Sequence, residues 1–393
     1  MTPLARLVAA LGIAQVISWG TLFYAIGVLG APMRAELGVS DVFLFGAFTA
    51  GLLVSGILAP RAGRHIDRHG GRAVLSAGSV VGALSMAVLA SCADRWTLTL
   101  GWLLAGAAMA GALYDPAFAA LSYHAGERYR RAVTSLTLFG GFASTVFWPL
   151  SQVLLDAVGW RYTFAAYALL HLAVCLPIHL LMIPRATVAA RSHGAEPPPA
   201  APDPSLRGLA AAFGVATFVF GIVAVHLINL LTAAGVAKGQ AVAMSMLVGP
   251  MQVAGRIVEL AVSRRVRAVH VGAAAFVLMA ASLVALLAVH GPGAAALVFV
   301  IAYGWGNGLL TIAKGTVPAE LYGRSQLGGL LGYIARAGMV AKAVAPAAWP
   351  ALLASGLARP WALGAVLVCA LGGAAAYAWA IRRAPRGPAA TAL

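Results

Sequence analysis

The chain has 393 residues, 61% of them hydrophobic and only 10% charged, with a mean hydropathy of +0.89. That composition excludes a soluble globular domain. The net charge of +16 suggests nucleic acid at first sight, but the basic residues gather in alternate loops between apolar runs, a membrane-insertion pattern that leaves no reason to expect a nucleic-acid partner.

Twelve apolar runs are each long enough to cross a bilayer, which takes roughly 20 mostly apolar residues. In chain order they cover 7–30, 42–59, 73–92, 96–121, 132–158 and 162–183, then 208–234, 241–262, 268–289, 294–321, 327–354 and 361–380. The segment 185–206, with Pro197, Pro198 and Pro199 in a row, cannot bury a core and reads as a flexible cytoplasmic linker. The expectation is an all-α membrane protein: a six-helix bundle over 1–184, the linker, and a second six-helix bundle over 207–393.

Orientation follows from the loops. With the N-terminus inside, inner segments hold 19 of the 27 Lys and Arg, outer segments hold 5, and Lys314, Arg336 and Lys342 fall inside spans. Both termini are therefore expected in the cytoplasm. The start of the chain leads into an apolar run too long for a signal-peptide core, so no cleavable leader is expected. Cys92, Cys175 and Cys369 are too few and too scattered for a disulfide framework or a metal knuckle.

The two halves echo each other. Gly255-Arg256-Ile257-Val258-Glu259 repeats Gly63-Arg64-His65-Ile66-Asp67 at a spacing of 192, and Trp349-Pro350 repeats Trp148-Pro149 at a spacing of 201. A parallel repeat of this kind places a substrate site between the halves near the midplane. The hairpin after the second span carries Gly63, Asp67, Arg68, Gly70, Gly71 and Arg72. Gly70 and Gly71 are expected to supply positive φ in a short turn. Its arginines hold the loop inside, and Asp67 is expected near inner-loop arginines and a neighbouring helix N-terminus, at the start of the eleventh span.

Gly-x-x-x-Asp-Arg-x-Gly-x-Arg at this place resembles the loop between the second and third helices of major facilitator superfamily transporters, with Gly71 where many members carry a basic residue. Gly159-Trp160-Arg161 followed by Phe164 also resembles that family's entry to the sixth span. The resemblance covers the whole chain. It implies alternating access, a bacterial inner-membrane location and a monomer embedded in lipid. No Gly-x-x-x-x-Gly-Lys-Ser or Thr motif is present, so transport is expected to run on gradients, with H+ a candidate coupling ion, rather than on ATP or any cofactor. The chain is not expected to be an enzyme.

Ionisable groups inside spans are functional candidates. Asp115, in Tyr114-Asp115-Pro116, reads as a gate partner, a proton carrier or a static ion pair. Arg336 lies about 15 Å into the eleventh span at 1.5 Å per residue. It cannot discard its charge, so it needs a carboxylate or an anionic substrate. Tyr303, Asn307, Thr311 and Lys314 share one face of the tenth span; Lys314 either gates with Asp115, its near-equivalent in the repeat, or snorkels to the inner surface. Glu259 and Arg256 would repeat the part of Asp67 and its arginines. Gln15, Trp19 and Tyr24 in the first span, and His226 and Asn229 in the seventh, are milder cavity candidates.

A mid-membrane cation on the eleventh span resembles the monocarboxylate and oxalate–formate type porters, which implies a small organic anion as substrate. The eighth span lacks the second deep cation that a dicarboxylate site would need. Two rivals remain: an exporter of hydrophobic drugs, suggested by the aromatic first span, and a Cu(I) carrier using His226 with Met244, Met246 and Met251.

Overall fold

The computed structural model describes residues 2–185 and 203–385, and all regular structure among them is helical. The expected linker falls almost wholly on 186–202, outside the described residues. Eleven helical stretches are long and apolar enough to cross a membrane. The longest, Gly126–Met182, is two crossings, because Gly159 leaves the helix at φ 77° and ψ 167°. That is a conformation open to glycine alone at little cost, and it brings the spans to twelve. Large apolar side chains such as Ile57, Leu84, Val277 and Leu371 lie on the outside of the helices. Water would penalise such a surface, and lipid tails solvate it.

The helices form two compact units. The first is Met1–Pro198 with Arg324–Arg336, the second Pro199–Gly323 with Ala337–Leu393. The eleventh span, Leu327–Ala354, thus gives its first turns to the first unit and the rest to the second.

The first unit is irregular. Its first span is an α-helix over Pro3–Trp19, a π-turn over Gly20–Tyr24 and an α-helix over Ile26–Leu37. A second π-turn, His171–Cys175, interrupts the sixth span. The two turns meet where Thr21 Oγ1 lies 2.8 Å from His171 Nε2, both side chains being fully buried. Each π-turn inserts an extra residue into the helix and so aims one polar group at the other. One helical face further on, His179 Nδ1 bonds Ser79 Oγ at 2.8 Å. A π-bulge has no periodic signal, so neither turn is visible in the hydropathy.

The second unit is more regular. Its seventh, ninth and tenth spans are unbroken helices over Pro204–Thr232, Ala268–Leu287 and Ala294–Tyr322. Gly304 and Gly308 let the tenth span press on the eighth, where an added Cβ would lie 2.6 Å from Met251 Cβ and 2.5 Å from the Gln252 carbonyl. Small residues one turn apart allow this approach in a membrane, where packing rather than the hydrophobic effect joins helices. Phe213, Phe276 and Tyr377 fill its core, and the Tyr377 hydroxyl donates to the Val269 carbonyl at 2.8 Å.

Candidate functional site

The charged hairpin is the best-defined polar site of the first unit. The second span, Asp41–His69, ends at Gly70, which has φ 81°, and the third, Gly71–Ser91, starts at once. Only Gly70 takes the positive φ expected of both glycines. Gly71 is helical and is needed for space: a Cβ there would sit 2.3 Å from Ala120 Cβ. Asp67 is 6% exposed. Its Oδ1 accepts the Gly328 N–H at 2.7 Å and its Oδ2 the Gly329 N–H at 2.6 Å. These amides lie in the first turn of the eleventh span, where backbone donors have no intrahelical partner. The carboxylate thus caps that helix from another span, aided by the helix dipole and by charge-assisted bonding.

The expected arginine partners are not on the carboxylate. Arg68 is exposed and Arg72 half-buried, and the carboxylate's bonds go to the two amides instead. The spans touch backbone to backbone beside it: a Cβ on Gly63 would lie 1.9 Å from the Gly328 carbonyl oxygen. Tyr123 donates its hydroxyl to the Asp67 backbone carbonyl. Burial, and then the Asp67 charge, pushes the Tyr123 phenol up, so it stays a donor.

Asp115 sits at a helix break that the sequence reading placed inside a continuous span. The helix Arg95–Ala112 stops, Leu113 is extended, and a new helix runs over Tyr114–Ser122. Pro116 explains it: with no N–H, it leaves the Ala112 carbonyl without its helical donor. Gln15 Nε2 supplies the bond at 2.7 Å from full burial. Gln15 is therefore a structural splint more than a cavity residue. Asp115 falls in the first turn of the new helix, half-buried, where a carboxylate offsets the helix dipole. Trp19 and Tyr24 are half-buried in a run of ring contacts: Tyr114 lies 5.2 Å from Trp19, Tyr24 lies 6.2 Å from Trp19, and Trp148 lies 5.9 Å from Tyr24.

In the second unit the tenth-span stripe divides. Tyr303 is 2% exposed and donates to the Phe220 carbonyl at 2.9 Å, tying the tenth span to the seventh. Asn307 and Lys314 are half-buried. Lys314 reaches the eleventh span, since a Cβ on Gly338 would be 4.0 Å from its Nζ and 3.6 Å from Thr217 Oγ1. Gly338 lies about 200° round the helix from Arg336 at 100° per residue. Arg336 is exposed and continues as an exposed stripe through Val340 and Val344. Arg256 and Glu259 are 4% and 1% exposed, one turn apart on the eighth span.

His226 Nε2 lies 3.0 Å from the Pro346 carbonyl, which Pro350 deprives of its helical donor just as Pro116 deprives Ala112. The ring therefore donates from Nε2. It lines a cavity with Asn229, Trp349 and Arg359. Met246 is 73% exposed and Met251 packs on the tenth span. Among the described residues no three His, Cys, Asp or Glu side chains gather as a metal site.

Sequence reading missed a brace at the end of the first unit that the loop charges assign outside. Arg161 donates from Nε and Nη2 to Glu36 Oε1 at 3.0 and 2.8 Å, and from Nη1 to the Ala90 and Cys92 carbonyls at 3.1 and 2.6 Å. Trp160 Nε1 donates to Glu36 Oε2 at 2.6 Å, and the guanidinium lies 4.2 Å from the Trp160 ring centroid. The Gly159-Trp160-Arg161 string was the available signal. Its partner, Glu36, is 125 residues from Arg161.

A family model described as Major Facilitator Superfamily matches residues 11–302. No curated protein sequence matches the chain. Solved structures resemble it along nearly their whole length. The human organic anion transporter MFSD10 (TETRAN) has a TM-score of 0.70 at 16% identity, covering 97% of this chain and 99% of that one. The E. coli fucose:proton symporter FucP gives 0.69 at 15%, with 96% and 98% covered. The proton:xylose symporter XylE, bound to 6-bromo-6-deoxy-D-glucose, gives 0.72 at 12%, with 97% and 96% covered. At such identities the likeness speaks for the fold alone: twelve transmembrane helices in two halves of six.

Proposed function

The chain belongs to the major facilitator superfamily, and on that premise we propose that this membrane transporter is a secondary active carrier of a small organic anion, of the monocarboxylate kind. It works by alternating access, with an ion gradient, H+ foremost, or a substrate gradient as the drive. It sits as a monomer in a bacterial inner membrane with both termini in the cytoplasm.

The observation that carries the anion reading is Arg336. It is exposed on the eleventh span, about 14 Å from the helix start at 1.5 Å per residue. A guanidinium at that depth keeps its charge and presents a planar fork suited to a carboxylate. One structural neighbour is described as an organic anion transporter and two as proton symporters, which supports solute transport with H+ coupling. Asp67, through its cap on the eleventh span, acts in this reading as a latch whose release accompanies a change of state. Asp115, Arg256 and Glu259 are the remaining gating groups.

A thermal-shift panel on purified protein tests the substrate class, because a ligand that binds the folded state raises its apparent stability by mass action. Acetate, lactate, benzoate and succinate are compared with their amides. At least one monocarboxylate stabilises the wild type, the amides do not, and Arg336→Gln reduces the effect of the transported one. Equal stabilisation of wild type and Arg336→Gln by a neutral amide overturns the anion reading.

A further inference from the structure

The loop between the fifth and sixth spans and the loop between the eleventh and twelfth carry near-equivalent arginines, Arg161 and Arg359. Their surroundings differ. Arg161 is saturated by Glu36 and two carbonyls. Arg359 opens the twelfth helix, Arg359–Arg383, and donates from Nη2 to the Leu230 carbonyl at 2.9 Å. Leu230 lies in the last turn of the seventh helix, where carbonyls lack helical donors, so this bond fixes the guanidinium in place. Its Nε is buried with no hydrogen-bond partner. A buried donor left unsatisfied is costly, and in a native structure it needs an explanation.

Arg359 also lines a cavity of about 440 Å³, within the range of roughly 300–1,000 Å³ common for small-molecule sites. Its polar walls are Arg359, His226 and Asn229; its apolar walls include Trp349, Leu230 and Leu353. His226 spends its Nε2 proton on the Pro346 carbonyl, which leaves the Asn229 amide as the donor for a ligand. No carboxylate competes. The described acidic residues of the second unit are Asp203, Glu259 and Glu320. Asp203 precedes the seventh helix, and the other two close the eighth and tenth. Alternation of the spans puts all three at the opposite end from Arg359.

We infer that the outer ends of the seventh, eleventh and twelfth spans form a second, peripheral site for a monocarboxylate with a compact apolar or aromatic body. Its oxyanion meets Arg359 and Asn229, and its body lies against Trp349. The inference rests on the anion reading above for its role, which is to collect substrate at the outer mouth. A lipid phosphate shares the oxyanion chemistry. The cavity's volume and its tryptophan wall favour a small solute.

The test is benzoate binding, with benzamide as neutral control, followed by thermal shift on full-length purified protein. Wild type binds benzoate in preference to benzamide. Arg359→Gln weakens benzoate at least tenfold, and Asn229→Asp, which leaves the Arg359–Leu230 bond intact, does the same by filling the site with a carboxylate. Arg336→Gln keeps this binding while losing transport. If Arg336→Gln alone removes benzoate binding and the other two variants bind normally, the peripheral site is wrong and the anion reading survives. Absence of any benzoate preference in wild type overturns the site. Displacement of benzoate by short-chain phosphatidylglycerol, with transport indifferent to Arg359→Gln, assigns the cavity to a lipid headgroup and also overturns it.

Discussion

The two units meet the same local problems and leave them in different states. In each, the leading helix supplies a donor that a proline has removed: Gln15 donates to the carbonyl freed by Pro116, and His226 to the carbonyl freed by Pro350. Gln15 is fully buried, whereas His226 stands on the wall of a cavity. In each, an arginine closes the end that the loop charges assign outside. Arg161 is neutralised by Glu36, while Arg359 keeps a buried donor without a partner. At these equivalent places the first unit's donors are spent inside the protein, whereas His226 and Arg359 of the second line a cavity that a ligand can enter.

Variants at equivalent places break or sharpen this contrast. The largest effect belongs to Gly63→Ala, because the new Cβ would lie 1.9 Å from a backbone oxygen that cannot swing away. Overpacking of this kind costs about 1–3 kcal/mol. The repeat-equivalent Gly255→Ala meets Trp305 backbone at 3.3 Å and costs less. Unfolding in detergent gives both values, and equal losses would deny that the hairpin contact is the tighter of the two.

Next come Gln15→Leu and His226→Leu. Each removes the donor to a freed carbonyl. A buried orphan costs about 1–3 kcal/mol, which applies to Ala112. Pro346 is exposed, so His226→Leu is the milder change. The same measurement orders them, and a larger loss at His226 would make that residue the structural one.

The smallest effect is at the Glu36–Arg161 brace. Glu36 and Arg161 are 51% and 35% exposed in their side chains, and exposed pairs contribute roughly 0.2–1 kcal/mol. Glu36→Gln therefore lowers the melting temperature only slightly. Asn229→Asp, which gives Arg359 the carboxylate that Arg161 already has, raises it in the absence of ligand. A fall with Asn229→Asp would show that Arg359 does not feel that position.

The fold was legible because a bilayer imposes length and loop charge directly on the sequence. The spans, and the break at Gly159 between the fifth and sixth, follow from those two signals. Asp67's place at the start of the eleventh span was legible from the preference of a carboxylate for a helix start, but its pairing with arginine did not follow: the amides of Gly328 and Gly329 take it instead, through packing 261 residues away. The break at Leu113 was signalled by Pro116 and read as a continuous span, since apolar residues carry on through it. His171, His179 and the π-turns had no periodic trace. Arg359 was counted only as one of five outer cations, because the sequence does not reveal which arginine lacks a carboxylate.

The account stands on anion transport through Arg336. The most direct measurement is exchange of radiolabelled monocarboxylate by proteoliposomes containing wild type, Arg336→Lys or Arg336→Gln, with equal protein incorporated. The account predicts saturable exchange by wild type, a clear reduction with Arg336→Lys, which keeps the charge and loses the fork, and none with Arg336→Gln. Wild-type rates in Arg336→Gln, or exchange of a neutral solute that ignores the substitution, would contradict it.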